Sequence, residues 1–189
     1  HRRLCGFPAD PLLSYVRKGE IKARYFNPCE YFDEVHFITQ AMDGNLPAEA
    51  RGILQGTVGR ARMVLHAIGD YNYFPKPHQC FGLRRRILEA VRAIDPAIIR
   101  GHGSHAKGYL AVWTAQRLHL PSVVSLHINP TLDAEFLHGS NPGLRQRLIA
   151  LTSRTFFEPY AVRRATRVLC RYQFPARYAL EMGARPEDV

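Results

Sequence analysis

Residues 94–127, IDPAIIRGHGSHAKGYLAVWTAQRLHLPSVVSLH, decide the fold. Asp95-Pro96 closes the segment before it, because proline disfavours helical geometry in the residue that precedes it. Residues 97–100 then form a short apolar run of strand type. Gly101-His102-Gly103-Ser104 follows as a tight turn, in which glycine supplies positive φ and Ser104 is placed to cap a helix. Tyr109, Leu110, Trp113 and Leu118 recur at helical spacing. His119-Leu120-Pro121 ends that helix and hands the chain to a second strand, SVVSL, at 122–126. A strand, a turn, a helix and another strand in this order predict a parallel pair joined by a crossover helix.

The same alternation extends in both directions. Short apolar runs at 4–7, 35–39, 63–68 and 167–170 read as further strands, buried on both faces as in a parallel sheet covered by helices. A helix is predicted over 83–94, where Ile87, Leu88, Val91 and Ile94 share a face. A longer helical segment starts near Asn141-Pro142, a cap followed by proline at the first helical position. Leu144, Leu148, Leu151 and Phe157 mark its apolar stripe, and Pro159 predicts a kink or break. The expected fold is α/β, a doubly wound, mainly parallel sheet with helices on both faces, formed by residues 1–189 as one domain.

Composition narrows the class. Hydrophobic residues make up 46% of the 189 and charged residues 22%, as in globular proteins and unlike disordered tails. No apolar stretch reaches the length of a membrane-spanning helix, and HRRLCGFPADPL lacks a signal peptide's apolar segment. Cys5, Cys29, Cys80 and Cys170 stand apart with no Cys-x-x-Cys spacing, which argues for a reducing compartment and against a zinc ribbon. The expected location is cytoplasmic, or peripheral at the inner membrane surface. The net charge of +10 attracts acidic partners, but its arginines are spread along the chain and carry no nucleic-acid motif. No nucleic acid is expected as a partner.

Open α/β sheets bind ligands beyond the carboxyl ends of their strands. That rule selects residues 8–18, the turn at 101–104 and the loop His127-Ile128-Asn129-Pro130. Asp10 and Lys18 are candidate substrate contacts, with Lys22 and Arg24 beside them as a basic rim or a solvated loop. His102, Gly103 and Ser104 fit either a phosphate cradle at a helix N-terminus or a turn that needs glycine for its geometry. A zinc reading of His102, His105 and His127 lacks the usual spacing and added carboxylate or thiol. His127 ends an apolar strand at the crevice, where a histidine donates to a sugar hydroxyl or carries a proton near neutral pH, or is satisfied by backbone. Glu158 is either a functional carboxylate or a surface or capping residue. No Gly-x-Gly-x-x-Gly follows the first strand and no Walker loop occurs.

Together, residues 94–127, KGEIKARYFNPCEYFDEVHFIT at 18–39 and ATRVLCRYQFPARYALEMGARPEDV at 165–189 resemble the N-terminal domain of retaining family 4 glycosyltransferases. Those enzymes have the GT-B architecture, two Rossmann-like domains facing a cleft. The resemblance implies an acceptor-side domain, with a nucleotide-sugar donor held mainly by a C-terminal domain absent from this chain. It implies transfer of a sugar to a glycan, small-molecule, phosphorylated or lipid-linked acceptor and an inactive fragment when alone, while the net positive charge suits an anionic membrane surface as a further partner. His127 would occupy the catalytic cleft position of a family histidine, Asp10, Lys18, His102, Gly103, Ser104 and Asn129 would contact substrate, and no metal or cofactor is expected. Two departures stand out. The loop Phe7-Pro8-Ala9-Asp10-Pro11 lacks the glycine pair many members carry, and Thr166 stands where aspartate is common. A non-catalytic flavodoxin-like binding or regulatory domain is the alternative.

Overall fold

The structure is a computed structural model and describes residues 1–19, 21–69, 77–127 and 143–189, with the side chains of 77–81 and 145–146 outside the description. The six expected strands are present: β1 (Arg3–Phe7), β2 (Glu34–Thr39), β3 (Arg62–Ala67), β4 (Ile98–His102), β5 (Ser122–Leu126) and β6 (Arg167–Cys170). They form one parallel sheet in the order β3-β2-β1-β4-β5-β6. Leu4 of β1 lies opposite Val35 on one side and Ile98 on the other. The direction of winding therefore reverses between β1 and β4, which opens a crevice at their carboxyl ends.

Alternate residues of each strand point to opposite faces, and both faces are covered by helices. On one face Leu4, Val35 and Phe37 pack with α1 (Leu12–Lys18) and α2 (Ala48–Thr57) through Leu12, Leu54 and Val58, together with Phe26. On the other, Cys5, Phe7, Ile38 and Ile99 pack with α3 (Pro77–Ile94) and α4 (Ala106–Leu118) through Leu83, Ile87, Val91, Leu110 and Ala111. A third cluster joins Val124, Leu126 and Val168 to α6 (Glu158–Arg164) and α7 (Gln173–Glu181). The sheet is thus doubly wound as expected. Its edges depart from burial on both faces: β3 and β6 are only partly covered, because each has a neighbour on one side alone.

Three expectations for the decisive stretch need correction. Strand β4 continues through Gly101 and His102, so the turn starts only at Gly103, the residue with positive φ (+83°). Gly101 serves a different purpose. A Cβ there would stand 3.0 Å from the Gly108 Cα and 3.1 Å from the Ala111 Cβ, so the missing side chains let α4 lie close on β4. Ser104 does not cap α4, whose N-cap is His105 with no side-chain cap bond. Helix α3 also begins at Pro77 rather than at 83, but it ends as predicted at Asp95, whose φ is +51°.

The later helical segment divides as Pro159 requires. Helix α5 (Leu144–Thr152) passes into a π-helical turn (Ser153–Phe157) and then α6. Proline lacks the N–H that would pair with the Thr155 carbonyl, and the wider turn absorbs that loss. The stripe expected to face the core does not. Leu144 is 75% exposed and Leu151 59%, with Leu148 exposed beside them, while Phe157 packs inward. The Asn141-Pro142 start lies outside the described residues. At β6 the Thr166 hydroxyl accepts from the Ser122 N–H (3.0 Å) and the Thr166 N–H donates to the Ser122 carbonyl (2.9 Å), a seam between β5 and β6.

Candidate functional site

The crevice is assembled from the ends of β1, β4 and β5 and from residues 21–33, which descend over one sheet face toward β2. Side chains of Arg100, His102, Ser125 and His127 alternate onto that face. Arg100 Nε donates to Ser125 Oγ (2.9 Å), which anchors the guanidinium beneath the histidines. The rings of His102 and His127 stack 5.9 Å apart at 14°. Tyr25 leans over both, at 6.2 and 6.0 Å, and its hydroxyl lies 3.4 Å from His127 Nε2. Phe26 meets His102 edge to face at 5.1 Å.

The electrostatics follow from this packing. His102 is 3% exposed, and burial, helped by Arg100 and His127, holds its pKa well below the ordinary histidine value. His127 is half-buried and shifted the same way, by burial first and then by Arg100 and Arg171. Both imidazoles are therefore neutral at pH 7, each with one donor and one acceptor nitrogen. Burial also lowers Arg100. His102 Nδ1 has no partner among the described residues.

The first loop is held from two directions. Asp43, fully buried in a 3-10 turn (Ala41–Asn45), accepts from the N–H groups of Leu12 (3.0 Å) and Leu13 (3.3 Å) and from the Thr39 hydroxyl, capping α1 from outside. Lys107, in the first turn of α4, donates to the Ala9 carbonyl. Burial pushes its pKa down to about 8 against the opposing pull of Asp10 and Asp43. Asp10 and Lys18 form an ion pair of 3.2 Å at the outer rim, both about half exposed. They are joined across α1, so the rim is largely helix and not the open loop expected.

The site residues divide accordingly. His127, His102 and Gly103 converge at the crevice, and Ser104 sits fully buried behind it with no hydroxyl partner among the described residues. Asn129 lies outside the described residues. His105 joins a different group: its Nδ1 is 2.9 Å from both Ser153 Oγ and buried Glu158 Oε1, tying the α4 N-terminus to the π-helical turn. Glu158 is thus a buried partner and neither a surface group nor a cap. Among the described residues no three His, Cys, Asp or Glu side chains converge as a metal set. Tyr25 and Arg100 had no local signal in the sequence, because their roles arise from sheet register and from a loop returning across 75 residues or more.

A doubly wound parallel sheet with histidines beside its switch point is a Rossmann-like α/β domain. Residues 33–189 match the model of Glycosyltransferase Family 4, and the chain belongs to that family. No functionally curated protein sequence matches it. Among solved structures it is similar to UGT73P12 of Glycyrrhiza uralensis complexed with glycyrrhetinic acid 3-O-monoglucuronide. The two share 14% identity and a TM-score of 0.56, over 97% of this chain and 47% of that one. It is also similar to a UDP-N-acetylglucosamine 2-epimerase from Rickettsia bellii, with 9% identity, a TM-score of 0.54, and 99% and 43% covered. A putative enzyme of the same name from Listeria monocytogenes gives 11% identity, a TM-score of 0.54, and 100% and 44% covered. The chain spans less than half the length of each of these structures.

Proposed function

We propose that this chain is the acceptor-binding side of a retaining glycosyltransferase, working with a second domain that holds the nucleotide-sugar donor. The observation that carries the reading is the neutral pair of His127 over His102 at the switch point, in a chain of this family. His127 donates a hydrogen bond to a hydroxyl of the reacting sugar, and Tyr25 and His102 hold its ring. Arg100, Arg171 and Lys107 give the crevice a positive potential that suits the phosphates of the donor or of a phosphorylated or lipid-linked acceptor. Asp10 and Lys18 line the rim, with His102, Gly103 and Ser104 nearer the acceptor, and Asn129 is a further proposed contact. In retaining transfer of this kind the donor phosphate assists the acceptor, so no protein nucleophile is required, and this half alone is inactive. The test is transfer by the full-length protein across a panel of nucleotide sugars, with the product anomer read by NMR. Retention of configuration is expected; inversion, or no turnover of any donor, contradicts the proposal.

The exposed stripe of α5 favours an anionic membrane surface as a partner. Leu144, Leu148 and Leu151 present an apolar row flanked by exposed Arg147 and Arg154, the pattern of a helix lying in a lipid interface. Co-sedimentation with phosphatidylserine-containing vesicles is expected, and Leu148→Glu with Leu151→Glu abolishes it without lowering thermal stability. Equal recovery with neutral vesicles, or no effect of the substitutions, removes the membrane from the account.

A further inference from the structure

The crevice uses one end of the sheet, and the opposite end carries its own basic concavity. It lies where α4 and α6 end and β6 begins, has a volume of about 610 Å³, and is lined by Gln116, Arg163, Arg164, Thr166, Arg167 and Arg185. Four arginines line it, and each has a contact within the fold. Arg163 Nε donates to the Met182 carbonyl (2.7 Å), a reach that is possible because Gly183, at φ +90°, has no Cβ to collide with the guanidinium. Arg164 lies over the Tyr160 ring at 5.4 Å, and the Tyr160 hydroxyl donates to Gln116 Oε1 (2.7 Å). Arg167 and Arg185 both donate to the buried carboxylate of Asp188.

The charges do not balance locally. Against four arginines stand Asp188, shared by two of them, and the exposed Glu187 at 3.7 Å from Arg185. Like charges brought together repel, and surface arginines ordinarily spread apart to reduce that repulsion. Here a tight turn at Gly183, an aromatic ring and a buried acid keep the four side chains on one concave surface, where their remaining donors are free to turn toward an anion. Guanidinium forks match phosphate oxygens two at a time, and gathering the side chains on one surface lowers the entropy cost of binding.

We propose that this concavity is an anion site for a small molecule bearing a diphosphate group, separate from the crevice. Inorganic pyrophosphate and a nucleoside diphosphate share the recognised chemistry, and two titration arms separate them. Pyrophosphate and ADP are each titrated into the 15N-labelled protein at physiological ionic strength. Saturable shifts of the Ala165, Thr166 and Gly183 amides are expected from pyrophosphate; tighter binding of ADP marks a nucleotide as the ligand, and equal binding marks the diphosphate alone. Arg163→Gln with Arg164→Gln should weaken binding at least tenfold, and Arg164→Gln alone, which leaves the Met182 and Asp188 contacts intact, at least threefold. Lys107→Met, in the crevice, should leave these shifts unchanged. Shifts that never saturate, that survive the double substitution in a folded protein, or that centre on Gly103 and vanish with Lys107→Met overturn the proposal.

Discussion

His102, His127 and His66 share one direction of pKa shift, and for each of them burial is the first cause. A histidine whose folded pKa lies below its unfolded value binds fewer protons folded than unfolded. Its stabilising contribution is complete above the unfolded value near 6.5 and is lost as pH falls below it toward the folded value. Urea-unfolding midpoints should therefore drop between pH 7 and pH 5, and the drop should be smaller in His102→Gln, whose side chain is neutral throughout. An identical pH profile for that variant contradicts the buried, neutral state of His102. The residue scale also shows what a single sequence conceals. His127 is recognisable from its place after an apolar strand, but its stacking on His102 depends on β4 running two residues past Arg100.

At the scale of elements, the tightest constraint is α4 against β4. A Cβ at Gly108 would collide with the Gly103 carbonyl, which is backbone and has no rotamer by which to yield. Gly108→Ala should cost about 1–3 kcal/mol in urea unfolding, as overpacking does, and should shift the Gly103 turn with it. A neutral substitution would show that α4 sits further out. Strands β1, β4 and β5 were legible because buried parallel strands are short apolar runs and each of these adjoins a Pro or Gly turn, whereas the partly covered edge strands β3 and β6 showed only as short apolar runs. Helix ends were less so: α1 is capped by Asp43 from a distant turn, not by a neighbour in sequence. The stripe on α5 has the spacing of a core face, and spacing alone does not say which surface covers it.

At the scale of the molecule, the sheet presents one anion-attracting region at each end. The crevice end is built from the Gly103 turn, histidines and Lys107, and the far end from tethered arginines. The fold class could be read from alternating strands and helices, whereas the site could be read only in outline, since Tyr25, Arg100 and the His105–Glu158 contact join segments far apart in the chain. The central claim is that His127 contacts the reacting sugar at the switch point of this sheet. The measurement that tests it most directly is kcat/KM for transfer by the full-length protein carrying His127→Ala, with its thermal midpoint recorded beside it. A fall of about a hundredfold or more with little change in stability is the predicted result, the size expected for losing a hydrogen bond made in the transition state. Wild-type kcat/KM in that variant would contradict it.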